Sequence, residues 1–211
     1  MNPVHAHDPL FLTAEQSTPE RGPYLPDGTI SFALYGEFIE AGGTRGFQAM
    51  FQEGDYFQLE LLIPARAPEE NLGEDQLPYL LVVKPDSTRE ALYPSIRTRF
   101  DEPFTNTSYY TFIKEQGTAI EGVYDITVVS RHAARFTVAI GFQEQFGTTV
   151  ERAGDRSSAF GETRDRLEEW YNEPMTTGIE ESSPDEVIDE QQSNQQEDTA
   201  VQSTPAQSTS P

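Results

Sequence analysis

The sequence predicts an all-β protein: an antiparallel β-sandwich of jelly-roll type, with a short C-terminal helix and a disordered acidic tail. Three observations carry this. Apolar residues recur at period two in one run after another, the runs are separated by Gly, Pro and Asp turns, and a helical period occurs only once, close to the end of the regular part.

A Pro-rich lead, STPERGPYLPDG (Ser17 to Gly28), suits neither helix nor central strand, because proline withholds the backbone donor that both need. In TISFALYGEFIE, residues Ile30, Phe32, Leu34, Gly36 and Phe38 share one face, which predicts a half-buried strand. Gly42-Gly43 breaks the run. Phe47, Ala49 and Phe51 then repeat the spacing, and after the Glu53-Gly54-Asp55 turn Phe57, Leu59, Leu61 and Ile63 repeat it again. Ala65 to Leu77 is acidic, aperiodic and broken by Pro and Gly, and so predicts a loop.

PYLLVVKPDST supplies a short apolar strand and a Pro-Asp turn. Pro94 and Pro103 confine the next stretch to edge strands and crossings. SYYTFIK predicts a strand with Tyr109, Thr111 and Ile113 opposite Tyr110, Phe112 and Lys114. In EGVYDITVVS the more apolar face carries Tyr124, Ile126 and Val128, and Phe136, Val138 and Ile140 align in the run that follows. His132 falls between these two runs, at or beside a predicted hairpin turn. ETRDRLEEWY places Leu167, Trp170 and Tyr171 at helical spacing, ahead of a stop at Pro174.

Composition divides the chain into an extended lead (1–27), a sandwich domain (28–171) and a tail (172–211). From Asn172 onward there is no Lys, Arg or aromatic residue, and such a segment has too little apolar surface to offset the entropy of ordering. The tail holds nine of the 36 acidic residues, which leaves 27 acidic against 14 basic side chains before it. A domain this negative repels phosphate backbones, which argues against nucleic acid and against anionic lipid.

No run is long and apolar enough to span a bilayer, so membrane association would come only through an anchor outside this sequence. Without cysteine there is neither a disulfide framework, nor a thiolate metal site, nor a thiol nucleophile. Val4-His5-Ala6 ahead of His7 has the small-residue spacing of a signal-peptidase site, though the charged and apolar parts of a signal are missing. The expectation is an extracytoplasmic protein that has lost its leader.

The order GEFIEAGGTRGFQAMFQEGDYFQLELLIP, LPYLLVVKPDS and EGVYDITVVSRHAARFTVAIG resembles the bacterial pre-peptidase C-terminal domain. Gln52 to Asp55, Val82 to Ser87 and Glu121 to Val128 stand for its second, third and fourth elements. The resemblance spans Thr29 to Gly141. Ser87 stands where the family often has glycine, and the acidic loop from Ala65 to Leu77 is longer than the family's. The resemblance implies a non-catalytic jelly-roll-like module of secreted or surface proteins, some of which bind calcium, polysaccharide or protein fibres. No ligand residues of such a site are matched here.

For chemistry, no G-x-S-x-G frames a serine nucleophile, Ser130 and Ser157-Ser158 lack context, and AGGTRG lacks the lysine and helix of a phosphate loop. Calcium takes oxygen ligands from acidic loops, so Glu69, Glu70, Glu74 and Asp75, and Asp101 with Glu102, are its candidates; a solvated acidic loop is the simpler reading. Copper would suit His7, if it became the N-terminal residue, together with His132. Tyr79 and Tyr109-Tyr110 offer sugar-stacking faces, and Asn106-Thr107-Ser108 matches a glycosylation sequon.

The leading expectation is a non-catalytic interaction or surface-structure module without a resident cofactor, meeting protein or polysaccharide at the cell surface. The alternatives are a secreted copper protein or oxidase using His7 and His132, and a carbohydrate-binding module.

Overall fold

The computed structural model describes residues 7–102, 105–145, 147–154, 156 and 160–175. Val4 to Ala6, Pro103, Ser157-Ser158 and the tail beyond Met175 lie outside them. In chain order the elements are β1 (Asp8–Phe11), β2 (Tyr24–Leu25), β3 (Phe32–Phe38), β4 (Thr44–Phe51), β5 (Tyr56–Pro64), a 3₁₀ turn (Glu69–Asn71), β6 (Tyr79–Val83), β7 (Arg89–Leu92), β8 (Thr98–Glu102), β9 (Thr107–Thr118), β10 (Gly122–Val129), β11 (Ala134–Ile140) and α1 (Phe160–Asn172).

Two sheets face each other, one ordered β1-β3-β11-β5-β9-β8 and the other β2-β4-β10-β6-β7. The alternating apolar residues of both sheets meet between them: Leu34, Phe47, Leu59, Tyr124, Ile126 and Phe136 all belong to one buried cluster. A fully buried side chain of this kind contributes about 1.5–3 kcal/mol over its exposed state. Gly36 sits on the core face of β3 because the Phe136 ring occupies the space, and a Cβ there would meet that ring at 2.5 Å.

The all-β sandwich with its C-terminal helix is thus present, with changes of detail. The sheets are mixed: two strands from the extended lead (1–27) join them in parallel, β1 beside β3 and β2 beside β4. The segment between β1 and β3 is long enough for the crossover a parallel pair needs, which a hairpin connection cannot supply. β1 and β2 both lie at sheet edges.

Consecutive strands β10 and β11 do not form the expected hairpin. β10 pairs with β4 and β6 in one sheet, while β11 pairs with β3 and β5 in the other. Residues 130–133 therefore arch across the sandwich. Ser130 anchors the arch: its backbone N–H donates to Gly43 O at 2.9 Å, and its hydroxyl donates to Glu40 O at 2.7 Å.

β3 is buried on both faces, where alternation predicts one. Its second face carries Ala33 and Tyr35, which pack with Phe11, Leu62, Tyr109 and Leu167 beneath α1. Trp170 meets Tyr35 edge-on at 5.0 Å, and Tyr171 meets Tyr109 at 5.6 Å. α1 thus forms a third layer, as its Leu167, Trp170 and Tyr171 stripe predicts.

β9 breaks its own alternation. Leu61 lies opposite Ile113 but Leu62 lies opposite Thr111, so Phe112 is an extra residue in a bulge. Phe112 and Ile113 both enter the inter-sheet core, while Tyr109 faces α1; Tyr109, Thr111 and Ile113 do not share a face.

The Lys84 to Ser87 turn closes by a bond from Ser87 N–H to Lys84 O at 2.9 Å, with Ser87 at φ 67°. That is the left-handed region where glycine is the unstrained residue.

Candidate functional site

The candidate calcium ligands are dispersed. Glu69 is buried and bonded to the Arg135 guanidinium, Nε to Oε1 at 2.5 Å and Nη2 to Oε2 at 3.2 Å. Glu74 and Asp75 are exposed, and Glu70 is half-buried. Asp101 and Glu102 are neighbours on β8 and so point to opposite sides. Asp101 accepts from the Ser108 hydroxyl at 2.6 Å and from Arg99 Nε at 3.0 Å, which lowers its pKa below the ordinary aspartate value. Glu102 accepts from the backbone and hydroxyl of Thr105 at 2.7 and 2.5 Å. Among the described residues no group of three or more His, Asp or Glu side chains gathers as a metal site.

The two described histidines are also apart. His7 precedes Asp8, which lies opposite Phe32 at the start of β3, and His132 precedes Ala134, which lies opposite Phe38 at its end. Six residue steps of extended strand separate those positions by about 20 Å. His7 Nδ1 lies 2.6 Å from Ser31 Oγ. His132 is exposed, with Nδ1 3.1 Å from Ala133 O.

Of the aromatic candidates, Tyr109 is buried under α1, and Tyr110 packs against the inter-sheet core beneath the Arg97 guanidinium at 4.3 Å. Tyr79 is placed differently. Its ring centroid lies 5.0 Å from that of Tyr93, and the Arg131 guanidinium lies 4.8 Å from one ring and 4.9 Å from the other.

The sequence explains the position. In β6, Leu80 and Val82 turn inward, so Tyr79, Leu81 and Val83 turn outward. Register carries this outward face across the sheet: Leu81 lies between Ala91 on β7 and Thr127 on β10, and Tyr79 lies beside Val129. Tyr93, just past β7, and Arg131, in the arch after β10, close the cluster. Tyr93 is 52% exposed and Leu81 38%.

The rest of this outer face is covered. Thr18 and Pro19 lie over Gly46 on β4 so closely that a Cβ there would meet Pro19 N at 2.3 Å. Arg152 donates to Gln48 Oε1 at 2.7 Å, and Gln48 donates in turn to Asp125 Oδ1 at 2.8 Å. What stays open is a strip over β10, β6 and β7, apolar at its centre, with Arg131 and Arg89 at its margins.

Two clefts elsewhere offer less. A cleft of about 320 Å³ beside the end of α1 is lined by Tyr35, Arg135 and Trp170 among others, but Arg135 is fully engaged with Glu69 and with the backbone carbonyls of Trp170, Tyr171 and Glu173. A smaller cleft of about 200 Å³ at the sandwich edge holds Lys84, which is paired with Glu90 at 2.8 Å.

Sequence reasoning singled out Tyr79 but missed Tyr93 and Arg131. Tyr93 stands before a proline in an edge segment and Arg131 in a polar turn, so neither carries a periodic signal. No protein-family model matches the chain, and no curated protein matches it.

Proposed function

We propose that this protein is a non-catalytic binding module working outside the cytoplasm, and that it holds its partner on the open strip of the five-stranded sheet. One observation carries the reading: Tyr93 keeps half of its surface in solvent although its ring is already packed against Tyr79 and Arg131. A rigid, half-exposed aromatic buttressed by a second ring and a guanidinium can bury further area at little cost in side-chain entropy, as binding anchors do.

The resemblance of the sequence to a non-catalytic surface module agrees with this. The copper alternative draws no support, since His7 and His132 stand at opposite ends of β3.

The test is a screen of the full chain against a displayed-peptide library and an immobilised glycan panel, repeated with Tyr93→Ala and with Tyr56→Ala, a second exposed tyrosine elsewhere. Ligands lost on Tyr93→Ala, retained on Tyr56→Ala and recovered chemically unchanged support the reading. If every ligand recovered is indifferent to Tyr93, or is cleaved, the reading falls.

A further inference from the structure

We infer that the ligand of the open strip is an uncharged oligosaccharide chain laid along the sheet face; this rests on the binding-face reading above. The first argument is size. Three strands spaced about 4.8 Å apart and roughly five residues long, at about 3.3 Å per residue, give a strip on the order of 200 Å². A stable protein interface takes about 800 Å² from each partner. The surface cannot widen to that within the face, because Thr18, Pro19 and Arg152 cover the β4 side and β7 is the sheet edge on the other. A single narrow chain fits where a folded partner does not.

The second argument is chemistry. A sugar ring offers an apolar C–H face and a rim of hydroxyls, and the strip offers the complement. The open Tyr93 ring and Leu81 form an apolar platform, and a phenolic hydroxyl on each tyrosine and the Arg131 guanidinium supply polar groups beside it. Arg131 is held in place by both rings and by a 3.5 Å contact to Glu74 O, so its remaining N–H groups are ordered before a ligand arrives.

The third is charge. The chain carries a formal net charge of −22, and its field opposes the approach of polyuronates or sulfated glycans despite the two arginines at the strip. A cationic glycan would in turn meet Arg131 and Arg89 at the strip's margins, so the chain that suits both the overall field and the strip is a neutral one.

The experiment is affinity electrophoresis of the full chain through native gels containing hydroxyethyl cellulose, galactomannan, arabinoxylan or, as the anionic counterpart, polygalacturonate. Retardation by at least one neutral polymer is expected. It should weaken about tenfold in Tyr93→Ala, as for an aromatic anchor, survive in Tyr93→Trp, and persist at high salt.

Retardation by polygalacturonate alone, or equal retardation of wild type and Tyr93→Ala, overturns the inference. So does the absence of retardation by every neutral polymer. If, in that case, displayed peptides bind in a Tyr93-dependent way, the binding face stands and only the sugar assignment fails; if nothing depends on Tyr93, both fail.

Discussion

Arg135 and Glu69, 66 positions apart in the chain, form an ion pair from which water is excluded: the two side chains are 2% and 0% exposed. The pair is a three-way junction. Glu69 comes from the 3₁₀ turn of the acidic loop and Arg135 from β11. Arg135 Nη1 also donates to the backbone carbonyls of Trp170, Tyr171 and Glu173, which lie at the C-terminal end of α1 where carbonyls lack helical partners. One guanidinium thus satisfies a buried carboxylate and caps a helix.

Removal of either member leaves the other charge buried without its counter-charge. Arg135→Met and Glu69→Leu are each expected to destabilise the fold by about 3–5 kcal/mol, whereas the double variant loses less than the sum, because no charge is then stranded. Urea unfolding of the two single variants and the double variant measures this. Additive losses would show that the pair is not coupled.

Tyr124 and His132 should behave oppositely. The Tyr124 ring stacks on Phe57 at 5.3 Å and meets Phe51 edge-on at 5.1 Å, and its hydroxyl oxygen accepts from Ile120 N–H at 3.1 Å. Tyr124→Ala is expected to cost about 3–5 kcal/mol through lost burial and the cavity left behind. His132→Ala, at an exposed arch position, should stay within about 0.5 kcal/mol. Thermal or chemical denaturation of the two variants compares them directly; similar losses would contradict the burial assigned to each.

Alkaline stability should depend on Tyr35 and Tyr109. Burial, reinforced for Tyr35 by the neighbouring Tyr109 and Glu102, pushes both phenols well above the ordinary tyrosine pKa. In the folded state they keep protons that the unfolded chain releases once pH passes about 10, so stability falls with rising pH above that point and is unaffected below it. Spectrophotometric titration should show exposed tyrosines ionising first, and these two only together with unfolding. Tyr35→Phe should flatten the alkaline loss. Ionisation of all tyrosines in one step while the fold persists would contradict the placement.

The sequence by itself determined most of the strands and most of their inward faces, but not β1 and β2, which lie in the stretch that reads as an extended lead. Period-two alternation is a local property of the pleat, so Phe47, Ala49 and Phe51, or Tyr124, Ile126 and Val128, declare their side without reference to anything distant. The α1 stripe was legible for the same reason, at its own period.

What only the tertiary structure decided are the relations between elements. Local pattern could not say that β10 and β11 belong to different sheets, because an arch and a hairpin both join two apolar runs through a short polar turn. It could not reveal the second buried face of β3, since burial there comes from a helix more than 120 residues later. It could not separate Glu69 from Glu70, Glu74 and Asp75, alike in sequence as acidic loop residues, when a single distant arginine selects one of them for the interior. It could not assemble Tyr79, Tyr93 and Arg131, which reach one another across three strands. Side-chain period is written in adjacent residues; strand partnership and charge pairing are free energies of contact between residues far apart, and they exist only once the chain has folded.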